Sequence, residues 1–178
     1  MAVLVAYATR HGSTAGIAER IAARLTERGF PAESHAVDKV GSLETYDAVV
    51  LGAAAYMFHW HKDAVRFAHQ HADVLGNRPL WLFSSGPLGT EQVDAEGHDV
   101  REGAVPKEFP DLIASLGPRG TQVFFGAYDP EAKPVGLAER VVRSMPASGD
   151  LLKPGDFRDW EAIDAWADDI ADQLGAAD

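Results

Sequence analysis

The sequence predicts an α/β domain of three layers, a five-stranded parallel sheet with helices on both faces. Two observations lead there. Apolar runs of strand length alternate with segments of helical period along the 178 residues, and strands that alternate with helices pair in parallel through crossovers. The runs at 2–7 and 47–52 are apolar almost throughout, as strands covered on both faces must be.

The elements follow in order. Residues 2–7 are the first strand. Residues 13–28 are a helix with Ile17, Ile21 and Leu25 on one face and Gly29 as its C-cap. Residues 32–37 are a second strand, in which Glu33 and His35 alternate with small residues and mark a sheet edge. Residues 47–52 are a third, buried strand. Residues 62–75 form a helix with Val65, Ala68, Ala72 and Leu75 on one side. After the Asn77-Arg78-Pro79 break, residues 80–84 are a fourth strand. Residues 89–109 turn polar and acidic, and 110–116 make a short helix. Residues 121–128 are the fifth strand. Residues 129–157 form a long connection with an apolar stripe at Leu137, Val141, Val142 and Met145. The last helix, 160–174, sets Trp160, Ile163, Ala167, Ile170 and Leu174 on one face. Residues 1–178 read as a single domain, without repeats or low-complexity tracts.

Composition excludes several classes. With no cysteine in the chain, disulfides, thiolate metal sites and cysteine nucleophiles are out. No basic leader precedes the first strand and no run spans a bilayer, which predicts a cytoplasmic protein. A net charge of −11 argues against nucleic acid as partner and makes contact with an anionic membrane doubtful. The same charge suits docking onto a basic patch of another protein, or it serves solubility alone. Oligomeric state is left open.

The most telling stretch is Thr9-Arg10-His11-Gly12-Ser13-Thr14, between the first strand and the first helix. Strand, tight hydroxylated loop and helix aim backbone N–H groups and the helix dipole at one point, which suits an anion such as phosphate. Thr9, Ser13 and Thr14 offer hydroxyls, and Gly12 allows close approach. The plain alternative is that Ser13 or Thr14 only caps the helix. Right-handed crossovers leave few sheet orders. One of them, 2-1-3-4-5, has a switch point between strands one and three, where ligands bind beyond the strand ends. The loops at that switch are 9–14 and 53–61.

The second of these loops holds Ala54, Ala55, Tyr56, Met57 and Phe58, then His59, Trp60 and His61. Small residues let a ligand pass, and the rings offer flat surfaces for a planar group. Phe58 and Trp60 can instead tuck into the core, and at least one of them should. After the fourth strand, Ser84, Ser85, Gly86, Pro87, Leu88 and Gly89 can hydrogen-bond the polar edge of a heterocycle, or serve as a simple turn. Ala127, Tyr128 and Asp129 would close the remaining wall.

Other chemistries fail on residues. His59/His61 and His69/His71 are each one residue apart, which turns a helical pair to different faces, and neither Cys nor HExxH accompanies them, so no metal is expected. A phosphoacceptor domain of this topology needs acids where Thr9 and Gly52 stand. Walker lysine, GxGxxG and nucleophile elbow are absent.

Three such loops at adjacent strand ends suit a planar cofactor bearing a phosphate, and the chain resembles the flavodoxin-like family. Thr9-x-x-Gly12-x-Thr14 matches that family's phosphate loop. The resemblance is nearest to the branch containing the bacterial quinone-dependent protoporphyrinogen oxidases. It rests on Tyr7-Ala8-Thr9-Arg10-His11-Gly12, on Gly52-Ala53 followed by His59-x-His61, and on Asp159-Trp160-Glu161. It implies non-covalent FMN, with phosphate held by residues 9–14 and the ring flanked by 54–58 and 84–89. It also implies an oxidoreductase acting on a porphyrinogen or a quinone-like acceptor. The alternatives are an electron carrier serving a redox partner protein and a binding module that has lost FMN. Two departures stand out. Met57 occupies the place of a stacking tyrosine, leaving Tyr56, Phe58 or Trp60 to stack. The 129–157 connection, basic and apolar in membrane-associated relatives, here mixes acids with bases.

Overall fold

The computed structural model describes residues 1–131 and 154–176. The apolar segment Val3–Ala8 forms β1 at the heart of the sheet. Helix α1 (Ser13–Glu27) returns the chain to the edge strand β2 (Ala32–Ala36). β3 (Ala48–Tyr56) pairs with the other side of β1 and carries a two-residue antiparallel strand, β4 (His59–Trp60). Helices α2 (Lys62–Gln70) and α3 (Ala72–Leu75) lead to β5 (Leu80–Ser85). Then come α4 (Val100–Gly103), α5 (Phe109–Leu116) and β6 (Gly120–Phe124). β7 (Ala127–Tyr128), β8 (Gly155–Asp156) and α6 (Trp160–Gly175) follow.

The parallel strands lie in the order β2-β1-β3-β5-β6. This is the expected 2-1-3-4-5 arrangement, with β4 interposed only in numbering. Alternation along each strand feeds two cores. Val3, Val5, Val50, Trp81 and Phe83 face α1 and α6, meeting Ile17, Ile21, Leu25, Ile163, Ile170 and Leu174. Leu4, Val49, Leu51, Leu80 and Leu82 face α2, α3 and α5, meeting Phe67, Leu75, Phe109, Leu112 and Leu116. Each such fully buried side chain contributes about 1.5–3 kcal/mol. Gly52 is required between the layers, because a Cβ there would lie 1.9 Å from the Phe83 ring.

Several expectations are corrected. The stretch read as a loop after the third strand is largely strand. β3 runs four residues past Gly52, and its end is paired with β4 through Ala55↔Trp60 and Tyr56↔His59. The predicted 62–75 helix breaks at His71 (φ −113°, ψ 18°). The predicted fifth strand splits at Phe125-Gly126, since Gly126 N donates to Pro87 O and Phe157 N to Gly126 O, turning β7 out to pair with β8. Trp160 is not on the buried face of the last helix. It is 39% exposed, with the Arg158 guanidinium 4.6 Å from its ring centroid. The stripe at Leu137, Val141, Val142 and Met145 lies outside the described residues.

α1 and α6 are joined by a ladder of ion pairs. Arg20 meets Asp164 and Arg24 meets Asp168 through paired hydrogen bonds, and Arg28 reaches both Asp168 and Asp172. Among the described residues, no helix is long and apolar enough to cross a membrane.

Candidate functional site

The carboxyl ends of β1, β3 and β5 stand side by side, with Ala8 opposite Ala53 and Ala53 opposite Ser84. The loops that leave them are therefore neighbours. Between β1 and α1, Gly12 is the N-cap residue at φ +85° and makes no side-chain cap. A Cβ there would meet nothing within 4 Å, so glycine is needed for its backbone angle, not for space. The plain capping alternative for Ser13 or Thr14 is thus not what forms. Among the described residues none accepts from the amides of Ser13, Thr14 or Ala15, so the first turn presents N–H groups outward.

The hydroxyls of this loop are already oriented. Thr9 Oγ1 accepts from Gly12 N at 3.0 Å, and Ser13 Oγ accepts from Ala127 N at 2.9 Å. Each oxygen is engaged as an acceptor, which leaves its O–H free to donate to an anion. Thr14 differs. It is fully buried, and its Oγ1 lies 2.8 Å from Ser85 Oγ, bracing α1 against β5. Beside the loop is an open hollow of about 590 Å3, with His11, Gly12 and Ser13 on one side and Tyr128, Asp129 and Arg158 on the other. These outward amides and donating hydroxyls, with Arg10 next to them, fit a phosphate group.

The β3–β4 hairpin forms the second wall. Its two turn residues, Met57 (φ 49°) and Phe58 (φ 65°), are in the left-handed region. Bulky side chains seldom adopt it, at a cost on the order of 1–3 kcal/mol each, and such strain gathers at binding sites. Both side chains are exposed. Tyr56 carries the Arg10 guanidinium 5.0 Å from its ring centroid. Trp60 is withdrawn from any stacking role. It is buried, edge-on to Phe109 at 5.2 Å, with Nε1 donating to Phe83 O. Of the two rings weighed for the core, Trp60 is the one that enters it.

In the third loop, Ser84 and Ser85 are the buried end of β5. Ser84 Oγ has no hydrogen-bond partner among the described residues and no surface for a ligand. Gly86 packs against Ala55, where a Cβ would sit 3.3 Å from the alanine methyl. Pro87 O is occupied by Gly126 N. Leu88 approaches Gly126, and Gly89 adopts φ +120°. The strand register brings the 9–14 loop, the hairpin and the 86–89 loop to one edge of the sheet, with Arg10 against Tyr56, Ser13, Gly86 and Leu88 all beside Gly126, and Thr14, Ser84 and Ser85 buried.

Two residues, Glu108 and Arg158, had not been singled out, and His61 had been without its capping role. Glu108, at the start of α5, bonds His59 Nδ1 at 2.8 Å and accepts from Trp60 N at 2.9 Å. Burial raises its pKa, yet the bonds from Trp60 and His59 prevail and hold the carboxyl below its ordinary value. Arg158 lies across Gly16 and donates to Ser13 O at 3.3 Å while paired with Asp156. His61 caps α2, its Nδ1 accepting from Asp63 N at 3.3 Å. Burial pushes its pKa below the usual histidine value, helped by Arg10 and Lys62 and opposed by Asp63. The acceptor role at Nδ1 assigns the ring proton to Nε2.

A family model described as a flavodoxin domain matches residues 4–140 of this chain. The chain belongs to the flavodoxin family. Its cofactor is accordingly FMN, in keeping with the fit just described. Protoporphyrinogen IX dehydrogenase [quinone] of Escherichia coli is 34% identical over 86 residues, 47% of this chain and 48% of that protein. The chain spans about half the length of the curated relatives it matches. Among solved structures, an archaeal flavodoxin aligns over 98% of this chain and 99% of its own at TM-score 0.61 and 12% identity. The flavodoxin of Streptococcus pneumoniae TIGR4 aligns over 100% of both chains at TM-score 0.59 and 16% identity. Both likenesses are of fold. The flavodoxin-like fold supports a redox function.

Proposed function

We propose that this domain is an FMN-dependent oxidoreductase that takes hydrogen from a porphyrinogen-type tetrapyrrole and reduces a quinone-like acceptor. The observation that carries the reading is the 34% identity over 86 residues to a protoporphyrinogen IX dehydrogenase [quinone]. FMN supplies reversible electron transfer there, and the protein supplies binding and orientation. The outward amides of the first turn of α1, the O–H groups of Thr9 and Ser13 and the Arg10 guanidinium hold the phosphate. Ala54 and Ala55 are small enough for the ring to approach, Met57 and Phe58 cover it, and Gly86, Pro87 and Leu88 border its other edge. For each quinone reduced to quinol, two electrons and two protons leave the reduced tetrapyrrole, so no further co-reactant is needed.

A second reading, an electron carrier docking by its surface, is favoured by the net charge of −11 and by the exposed Met57–Phe58 tip. Anaerobic mixing separates the two. A porphyrinogen should bleach the visible band of the FMN-loaded protein, and a quinone should restore it. A band that resists the porphyrinogen yet bleaches with a reduced protein partner contradicts the enzyme and supports the carrier.

A further inference from the structure

We propose that Glu108 is a positioning residue that latches the Met57–Phe58 turn into the shape that receives the flavin ring. The inference rests on the reading of that turn as the wall of the FMN crevice. The turn needs a latch. Met57 and Phe58 both have positive φ, and β4 is only two residues long, so the hairpin itself is closed by two cross-strand pairs and the bond from His61 N to Ala54 O. Exposed side chains at the tip add little packing.

Residues 107–109 grip it from outside. Lys107 N donates to Phe58 O at 2.9 Å. The two Glu108 oxygens are divided between His59 Nδ1 at 2.8 Å and Trp60 N at 2.9 Å. The Phe109 ring packs edge-on against Trp60 at 5.2 Å. Three consecutive residues thus engage the three residues from the turn through β4. A carboxylate accepting a backbone N–H is among the stronger bonds available to it, and both oxygens are used on one target. The β-turn conformation is over-determined from a segment that belongs to neither strand, as persistent strain requires.

The test is flavin binding by the full chain, with Glu108→Ala and Glu108→Gln beside the unaltered protein. Glu108→Ala should weaken FMN and riboflavin equally, by about tenfold, since the turn meets the ring and not the phosphate. It should also shift the visible circular dichroism of bound FMN. Glu108→Gln keeps an acceptor for Trp60 N and should recover most of the affinity. Amide hydrogen exchange without flavin supplies an independent readout, with Trp60 N–H exchanging faster in Glu108→Ala than in the unaltered protein. Unchanged affinity and exchange in Glu108→Ala, or a loss confined to FMN, would overturn the latch. Should Glu108→Ala not fold, a Glu108→Gln protein with unaltered dichroism and full exchange protection at His59 and Trp60 still supports it, and one binding neither flavin overturns it. Failure of the unaltered protein to bind FMN would instead strike the functional reading.

Discussion

Thr9 and Ser13 show how single side chains prepare the site. Their oxygens accept from Gly12 N and Ala127 N, so their O–H hydrogens are available to an anion. A hydrogen bond to a charged group contributes about 1.5–3 kcal/mol. Thr9→Ala should therefore weaken FMN by about tenfold or more and leave riboflavin, which lacks the phosphate, nearly unchanged. Fluorescence titration with both flavins checks this, and equal weakening of the two would place the phosphate elsewhere. The loop 9–14 was legible in the sequence because its residues are contiguous and follow a strand. Glu108 was not, because its partners stand 48 and 49 positions away and an acid in an acidic stretch reads as surface. Thr14 was legible only as a hydroxyl. That it pairs with Ser85, 71 positions on, depends on the β1–β3–β5 neighbourhood.

Elements were legible where apolar periodicity was strong and poorly legible where pairing decided them. Ala53, Ala54 and Ala55 have little strand propensity, and only β4 pairing carries the end of β3 to Tyr56. The α1–α6 ladder had a visible half in each helix, since Arg20, Arg24 and Arg28 and then Asp164, Asp168 and Asp172 recur every fourth residue. Their meeting is a matter of fold. Arg24 and Arg28 hydrogen bonds hold the Asp168 carboxyl at about 2, against an ordinary 3.8. A carboxyl whose pKa is lowered in the folded state stabilises fully above its unfolded value and loses that stabilisation as pH falls through the folded one. The contribution of Asp168 should therefore be complete above pH 3.8 and fade toward pH 2. Asp168→Asn should flatten the acid limb of stability across that window in chemical denaturation series. A limb with unaltered slope would mean that the ladder does not act on folding.

At the scale of the whole molecule, alternating elements and buried parallel strands were enough to anticipate a parallel sheet with few permitted orders, one of which, 2-1-3-4-5, is the order that forms. They also point to the switch between β1 and β3, because in open sheets the connections leaving paired neighbouring strands part to opposite faces there. Ala127 and Tyr128 were anticipated as a wall, but their pairing with β8 was not, since it depends on Gly126 bonding Pro87 and Phe157. The central claim is that the site at this switch holds one FMN by its phosphate. Titration of flavin-free protein with FMN, followed by visible absorbance and fluorescence, tests it most directly. One FMN per chain, bound far more tightly than riboflavin, is the expected result. A protein that takes up no FMN, or binds riboflavin as tightly as FMN, would contradict it.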